Sequence, residues 1–445
     1  MPPTVAFHRS QFRASPNGRH LITGGGQPFV WLADNAGVLT RRLDRGDIDL
    51  YLRTRVAQRF TVIHAAVFAG ADALTTPNAY GLLPFDDGDL ARPTEGFFTH
   101  LDHVVLRANA LGVAVALQPL TAEVVGSHGF DATLAAGFAG FLAKRYRDQA
   151  VMWVVGGGDG PEDVAQQAVW NALGSTLREQ TRGRQLIAYL PTTGPTRGAG
   201  WAQALPWHDL ALHRSGPGVA QQPWLGISAG YRAEPTRPLL DAFPGREDQP
   251  APEGESDGHV SAHQERMVAY WSVFSGACGH TYANHEVCRY HEAGGHEAHA
   301  AWEAALHDPA AEQMHFLRQL LEARPFQARV PDQALLPHTP TDPARYQCAT
   351  RGDDDDLGGD GGSYAFIYTP VRQPVVVDLT RLTGSLVEAS WFDPRTGRSI
   401  WLGQFPVRGT RTFTPLGEDD WVLVLDDSGR NYQPVGHAAD RSMSF

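Results

Sequence analysis

The chain has 445 residues, 42% of them apolar and 19% charged; that length exceeds one ordinary domain and suits a barrel of roughly 300 residues plus a smaller module. A formal net charge of -12 with no basic stripe excludes a duplex nucleic-acid binder. No apolar run reaches the ~18 residues of a membrane span, and the N-terminus shows no basic stretch leading into an apolar one, so a cytoplasmic protein is expected.

In chain order, short apolar runs alternate with amphipathic stretches. Pro28 to Asp34 reads as a buried strand. Arg45 to Phe60 reads as a helix, because Ile48, Leu52, Val56 and Phe60 recur every four residues. Thr61 to Val67 is the next strand. A helix over Phe97 to Leu111 follows, closed by Gly112. Further strands are expected at Val113 to Leu117, Val151 to Val155, Leu186 to Leu190, Leu210 to His213, Leu239 to Ala242 and Gly279 to Ala283. Strand and helix alternating this often, with strands apolar on both faces, predicts a (β/α)₈ barrel over residues 1–335. No glycine fingerprint opens the first helix, so a dinucleotide cofactor is not expected.

After Asp332 the pattern changes to short strands such as Tyr364 to Tyr368, Val375 to Leu379, Val387 to Phe392 and Trp421 to Leu425. Turns such as Pro394-Arg395-Thr396-Gly397 separate them. An antiparallel β-sandwich is predicted over 336–430, with a disordered tail over 431–445. Asp353 to Asp356 reads as a solvated acidic loop, since four adjacent aspartates lack the alternation of calcium ligands. Cys278, Cys288 and Cys348 are odd in number and widely spaced, which predicts reduced thiols and neither a disulfide framework nor a metal site.

These segments resemble the apiosidase-like glycoside hydrolases, whose barrel precedes a β-sandwich. The most specific stretch is Ala269 to Tyr282; Trp391 to Gly397 and Asp420 to Leu425 match the sandwich. The resemblance implies glycoside hydrolysis by two carboxylates, one an acid/base and one a nucleophile. It places the acid at the end of a Trp-x-x-Gly-Gly-Asp strand. Here that stretch is Trp153-Val154-Val155-Gly156-Gly157-Gly158-Asp159, so Gly158 takes the acid's place and Asp159 follows one residue later. The resemblance places the nucleophile in Ala-Glu-Pro-x-Tyr-Glu-Asp. Here the matching stretch is Ala242-Phe243-Pro244-Gly245-Arg246-Glu247-Asp248, so Phe243 stands where the nucleophile would. Phenylalanine can neither attack an anomeric carbon nor carry a proton.

The expectation is therefore a rebuilt barrel-mouth site. Asp159 and Glu286 are the candidate catalytic residues. Asp159 follows three glycines that could swing it inward; otherwise it caps a helix starting near Pro161. Asp34, His64, His213, Phe243, Glu247 and His285 are the candidate binding residues. His280 matches the scaffold of the resemblance and is read as structural, as is Asp209. His291, Glu292, His296, Glu297 and His299 have the wrong spacing for a zinc-protease helix, and no metal is expected. The predicted ligand is a sugar or sugar-like small molecule. Three activities remain open: an enzyme of altered chemistry, a non-catalytic glycan or small-molecule binder, and a hydrolase with a shifted carboxylate pair.

Overall fold

The computed structural model describes residues 12–158, 163–191, 199–216, 218, 221–251, 258–291, 300–353 and 361–438. Eight strands close a barrel: β1 (Trp31–Asn35), β2 (Val62–Ala66), β3 (Ala114–Gln118), β4 (Val151–Gly156), β5 (Ile187–Leu190), β6 (Leu210–His213), β7 (Leu239–Asp241) and β8 (Gly279–Tyr282). Each pairs in parallel with its chain neighbour, and β8 pairs with β1. Nearly every strand residue is buried, as a sheet wrapped by helices requires.

Alternation along the strands decides which side chains face the barrel axis. Trp31, Ala33, Val62, Ala114, Ala116, Met152, Val154, Ala188, Leu190, Leu210, Leu212, Leu240 and Ala242 form one interior cluster. The intervening residues, such as Ile63, Val115, Leu117, Trp153 and Val155, pack outward on the helices. Phe12, Leu21 and Phe29, from a three-stranded N-terminal sheet, join the interior cluster and close the N-terminal end of the barrel. Pro28–Phe29 belongs to that sheet, so the strand expected to begin at Pro28 starts its barrel part at Trp31.

The helices begin where the sequence supplies caps. Asp44 accepts from the Asp47 amide, and Asp163 and Ser261 form capping boxes with Gln166 and Gln264. The helix Arg45–Ala57 stops short of the expected Phe60, because Arg59 adopts a positive φ of 65° and turns the chain. The helix after β4 is Val164–Gln180, capped by Asp163 and not by Asp159. Asp159 and Pro161 lie outside the described residues, as do residues 292–299 and 354–360.

The C-terminal module has a seven-stranded sheet and a two-stranded one, Val375–Asp378 with Thr410–Phe413. The central strands of the large sheet are buried on both faces. Ala365, Ile367, Leu423 and Leu425 face the small sheet. Tyr364, Phe366, Tyr368, Val422 and Val424 face the barrel helices Ala262–Phe274 and Pro309–Glu322. Tyr270 stacks on Tyr368 with centroids 4.9 Å apart. Arg266 grips Asp420 through two bonds of 2.7 and 2.9 Å in a seam closed to water. Arg329 donates to the Val273 and Ala277 carbonyls. The sheet begins earlier than the expected boundary at 336, because Arg329–Pro331 already pairs with it. The expected disordered tail gives way over 431–438: Val435 is buried, and His437–Ala438 pairs with Arg398–Ser399.

The three cysteines are buried and unpaired. Burial pushes the Cys278 thiol up to about 12 and the Cys288 thiol up to about 11, so neither is a ready nucleophile.

Candidate active site

A pocket of about 570 Å³ opens at the C-terminal ends of the strands. That is the size of a small-molecule site, at the end of the barrel where loops meet. The inward alternation carries straight into it. Asn35 continues Trp31 and Ala33, His64 continues Val62, Gln118 continues Ala114 and Ala116, and Arg214 continues Leu210 and Leu212; all four line the pocket.

Of the candidate binding residues, His64 and Phe243 line the mouth. Their rings meet edge-on with centroids 5.3 Å apart. Arg214 lies over the Phe243 ring, its guanidinium carbon 5.2 Å from the centroid. Burial lowers the His64 imidazole to about 4, with Gln118 partly opposing, so the ring is neutral near pH 7. Its Nε2 is buried without a partner among the described residues.

Three other candidates face elsewhere, two of them for one geometric reason. Asp34 and His213 sit one residue out of step with the inward positions, and a one-residue step in a strand reverses the face. Asp34 points outward and is bound by Tyr51 Oη at 2.5 Å and Arg55 Nε at 2.7 Å. His213 turns its ring onto Gly226 of the helix Pro223–Tyr231. The pocket residues are their neighbours, Asn35 and Arg214. Glu247 is held behind β8: it accepts from Tyr282 Oη at 2.6 Å and from the Ala310 amide at 2.9 Å, at the start of helix Pro309–Glu322. That is a helix-capping role. Burial raises its carboxyl to about 7, against the pull of these two hydrogen bonds.

His285 and Glu286 open the short helix His285–Arg289, directly after β8. Both are buried behind the pocket surface. Glu286 Oε2 lies 2.7 Å from Nδ1 of His291, and it is His291 that reaches the pocket. His280 faces outward, beside Asp241, and burial lowers it to about 4. Asp209 pairs with Arg178 and accepts from the Ile187 amide, the structural role expected of it.

The sequence reading missed Gln118, Arg214, Arg246 and Glu123, which all line the pocket. For Gln118 and Arg214 the signal was present: alternation extended one step beyond the apolar run. Arg246 comes from a loop and Glu123 from the first turn of the short helix Ala122–His128, so neither continues the period of a strand.

The end of β4 is a backbone device. Gly156, Gly157 and Gly158 all have positive φ, at 88°, 85° and 138°. Each carbonyl is held: Gly156 by Gln118 Nε2, Gly157 by the Ala122 amide and Gly158 by Arg214 Nη1. A methyl group on Gly158 would lie 2.5 Å from Ala122 Cβ. Gly158→Ala is therefore expected to destabilise the fold by about 1–3 kcal/mol, from left-handed strain plus the clash. Urea denaturation reads this directly, and an unchanged midpoint would contradict the geometry.

A closed parallel barrel with its pocket at the strand ends, braced by a β-module, is the architecture of glycoside-hydrolase-like proteins. The chain belongs to the apiosidase-like family: the family model described as "Apiosidase-like, catalytic domain" matches residues 15–328. A second, "Putative collagen-binding domain of a collagenase", matches residues 330–426. A glycoside hydrolase family 5 structure from Bacteroides vulgatus is 25% identical, with a TM-score of 0.87 and 98% of each chain covered. Another structure, described as a glycoside hydrolase, is 24% identical with a TM-score of 0.85, covering 96% of this chain and 99% of that one. A comparison with curated proteins finds no match. Among the described residues no helix is long and apolar enough to cross a membrane.

Proposed function

We propose that the barrel mouth binds a small sugar bearing an anionic group and acts on it by chemistry other than two-carboxylate hydrolysis. The observation that carries this reading is the charge of the pocket wall. The whole chain is acidic, at -12. Yet Arg41, Arg42, Arg214, Arg246 and Arg289 line the mouth, against a single carboxylate, Glu123, among the described lining residues. Asp72 neutralises Arg41. Arg246 has no side-chain hydrogen bond or ion pair among the described residues, so it is available to a ligand carboxylate or phosphate. Clustered guanidinium groups suit such planar or tetrahedral anions.

Two features favour altered chemistry. The resemblance to the family puts the acid at Gly158 and the nucleophile at Phe243. Gly158 belongs to a pinned turn with no room for a side chain, and Phe243 packs against both His64 and Arg214. Neutral His64, with its open Nε2, is the group placed to exchange a hydrogen bond or proton with a ligand hydroxyl.

Calorimetric titration of the full chain with glucuronate, glucose 6-phosphate and glucose tests the reading. An anionic sugar is expected to bind at least about tenfold tighter than glucose. Arg246→Ala is expected to remove most of that preference, because one charge-assisted hydrogen bond is worth about 1.5–3 kcal/mol. Neutral aryl glycosides should not be turned over. Equal affinity for charged and neutral sugars sinks the anionic-ligand reading. Aryl glycoside hydrolysis that disappears in Asp159→Asn would restore ordinary hydrolysis. Tight binding with no conversion of any bound sugar would instead identify a binding protein.

A further inference from the structure

The His285–Glu286–His291 group is not explained by sugar recognition. Asn284 starts the helix by accepting from the Glu286 and Val287 amides, which fixes the backbone at Glu286. Asn284 is itself anchored on Asp308 at 2.7 Å. His291 folds back, its amide donating to the Glu286 carbonyl. One donor atom from each of His285, Glu286 and His291 lies within 4.8 Å of the other two. Glu286 has no exposed surface, and His291 is mostly covered.

A simple hydrogen-bonded pair would account for Glu286 and His291. It does not account for His285. That residue is 8% exposed, and its Nδ1 is buried without a partner among the described residues. An unsatisfied buried nitrogen beside a buried carboxylate and a second imidazole costs free energy unless something fills the gap.

We infer that His285, Glu286 and His291 bind one divalent transition-metal ion, Zn²⁺ foremost, in the wall of the barrel mouth. Two imidazoles and one carboxylate are the donor set of open zinc sites and of related iron sites, in which a further position stays free for water or substrate. Ligands at about 2.0–2.1 Å from a tetrahedral ion stand roughly 3.3 Å apart. The bonded Glu286–His291 pair would open slightly and the widest pair would close, by shifts of about 1 Å that side-chain rotation supplies. The positive charges of Arg246 and Arg289 act on His285 and oppose a cation there. Glu286 offsets one of them, and an anion on the open position would offset another. The site lies just past the end of β8, where barrel proteins concentrate chemistry.

The inference stands apart from the choice of sugar, and its test uses none. The full chain is stripped with a chelator and titrated calorimetrically with Zn²⁺ alone. One tight equivalent is expected. His285→Ala, Glu286→Gln and His291→Ala should each weaken it at least about tenfold, the smallest loss that even a partner behind a ligand produces. His315→Ala, on the helix Pro309–Glu322, should leave it unchanged. Circular dichroism of each chelated variant checks that it folds. If a variant does not fold, zinc-edge X-ray absorption on the unaltered protein decides instead: two imidazoles and oxygen ligands support the site. The inference is overturned by absence of a tight equivalent, by undiminished binding in the folded variants, or by a zinc shell without imidazole.

Discussion

Asp34→Ala is expected to destabilise the protein by about 3–5 kcal/mol, the cost of leaving a buried charge without its partner. Asp34 and Arg55 have no exposed side-chain surface. Arg55 gives its Nε to Asp34 and its Nη1 to Gln58 and the Leu306 carbonyl, so it ties β1 to the helix Arg45–Ala57 and to the segment before Pro309. Removing the carboxylate strands the guanidinium in a space that water does not reach. It also leaves the Tyr51 hydroxyl without its acceptor. Urea unfolding measures the loss. A double change, Asp34→Leu with Arg55→Met, should recover much of it, since an apolar pair of similar volume often replaces a buried ion pair without penalty. Were Asp34 a ligand-binding residue instead, Asp34→Ala would keep its stability and lose ligand affinity. That result would overturn its assignment to the helix layer.

Stability is also expected to fall steeply on acidification below pH 6.5. Burial lowers His20 to about 3, with Arg329 and Arg19 adding to it, and lowers His64, His208 and His280 to about 4 each. A histidine whose folded value lies below its unfolded one stays neutral in the fold while the unfolded chain takes up a proton. Its contribution is complete above about 6.5 and is lost as pH falls towards 4. Each shift to about 4 corresponds to about 3 kcal/mol, and that of His20 to about 5 kcal/mol. Two carboxyls work the other way. Glu247 is raised to about 7, and Glu265 is raised by burial and by its neighbours Glu247 and Asp241. They favour the protonated fold and partly offset the histidines between pH 7 and 4.5. The net expectation is a loss on the order of 2 kcal/mol per pH unit near pH 5, with greatest stability close to neutrality. Melting temperature followed from pH 8 to 4 checks this. A flat profile between 6.5 and 4.5 would mean that these imidazoles titrate freely in the native state.

The barrel was legible because buried parallel strands leave unbroken apolar runs; seven of the eight were found within a residue or two, and the first was begun three residues early, at Pro28, because Pro28–Phe29 pairs in the N-terminal sheet. The site was legible only where the strand phase was read correctly. His64 and Phe243 were placed in the mouth. Asp34 and His213 were each taken one residue too early, and the step exchanges an inward Asn35 or Arg214 for an outward acid or imidazole. Polar residues at strand ends carry no apolar phase of their own, so their direction has to be counted from the run behind them. Glu247 was drawn to the site by its charge, although its partners, Tyr282 and the Ala310 amide, come from distant parts of the chain that spacing cannot reveal. The meeting of Glu286 with His291 depends on a tight turn after a five-residue helix. The ligand spacings used for the sequence reading are those of long helices, and this arrangement lies outside them.

The seam between the helix Ala262–Phe274 and the large C-terminal sheet has a practical corollary. Tyr270, Phe274 and Arg266 serve both halves at once, and Arg329 threads from the sheet back under that helix. A cut near residue 335 would bare this apolar flank and leave buried Arg266 without Asp420, so a shortened barrel would clump. The C-terminal module cannot be swapped or grafted like a tethered accessory; it acts as a keel, and the stave carrying β8 is built onto it.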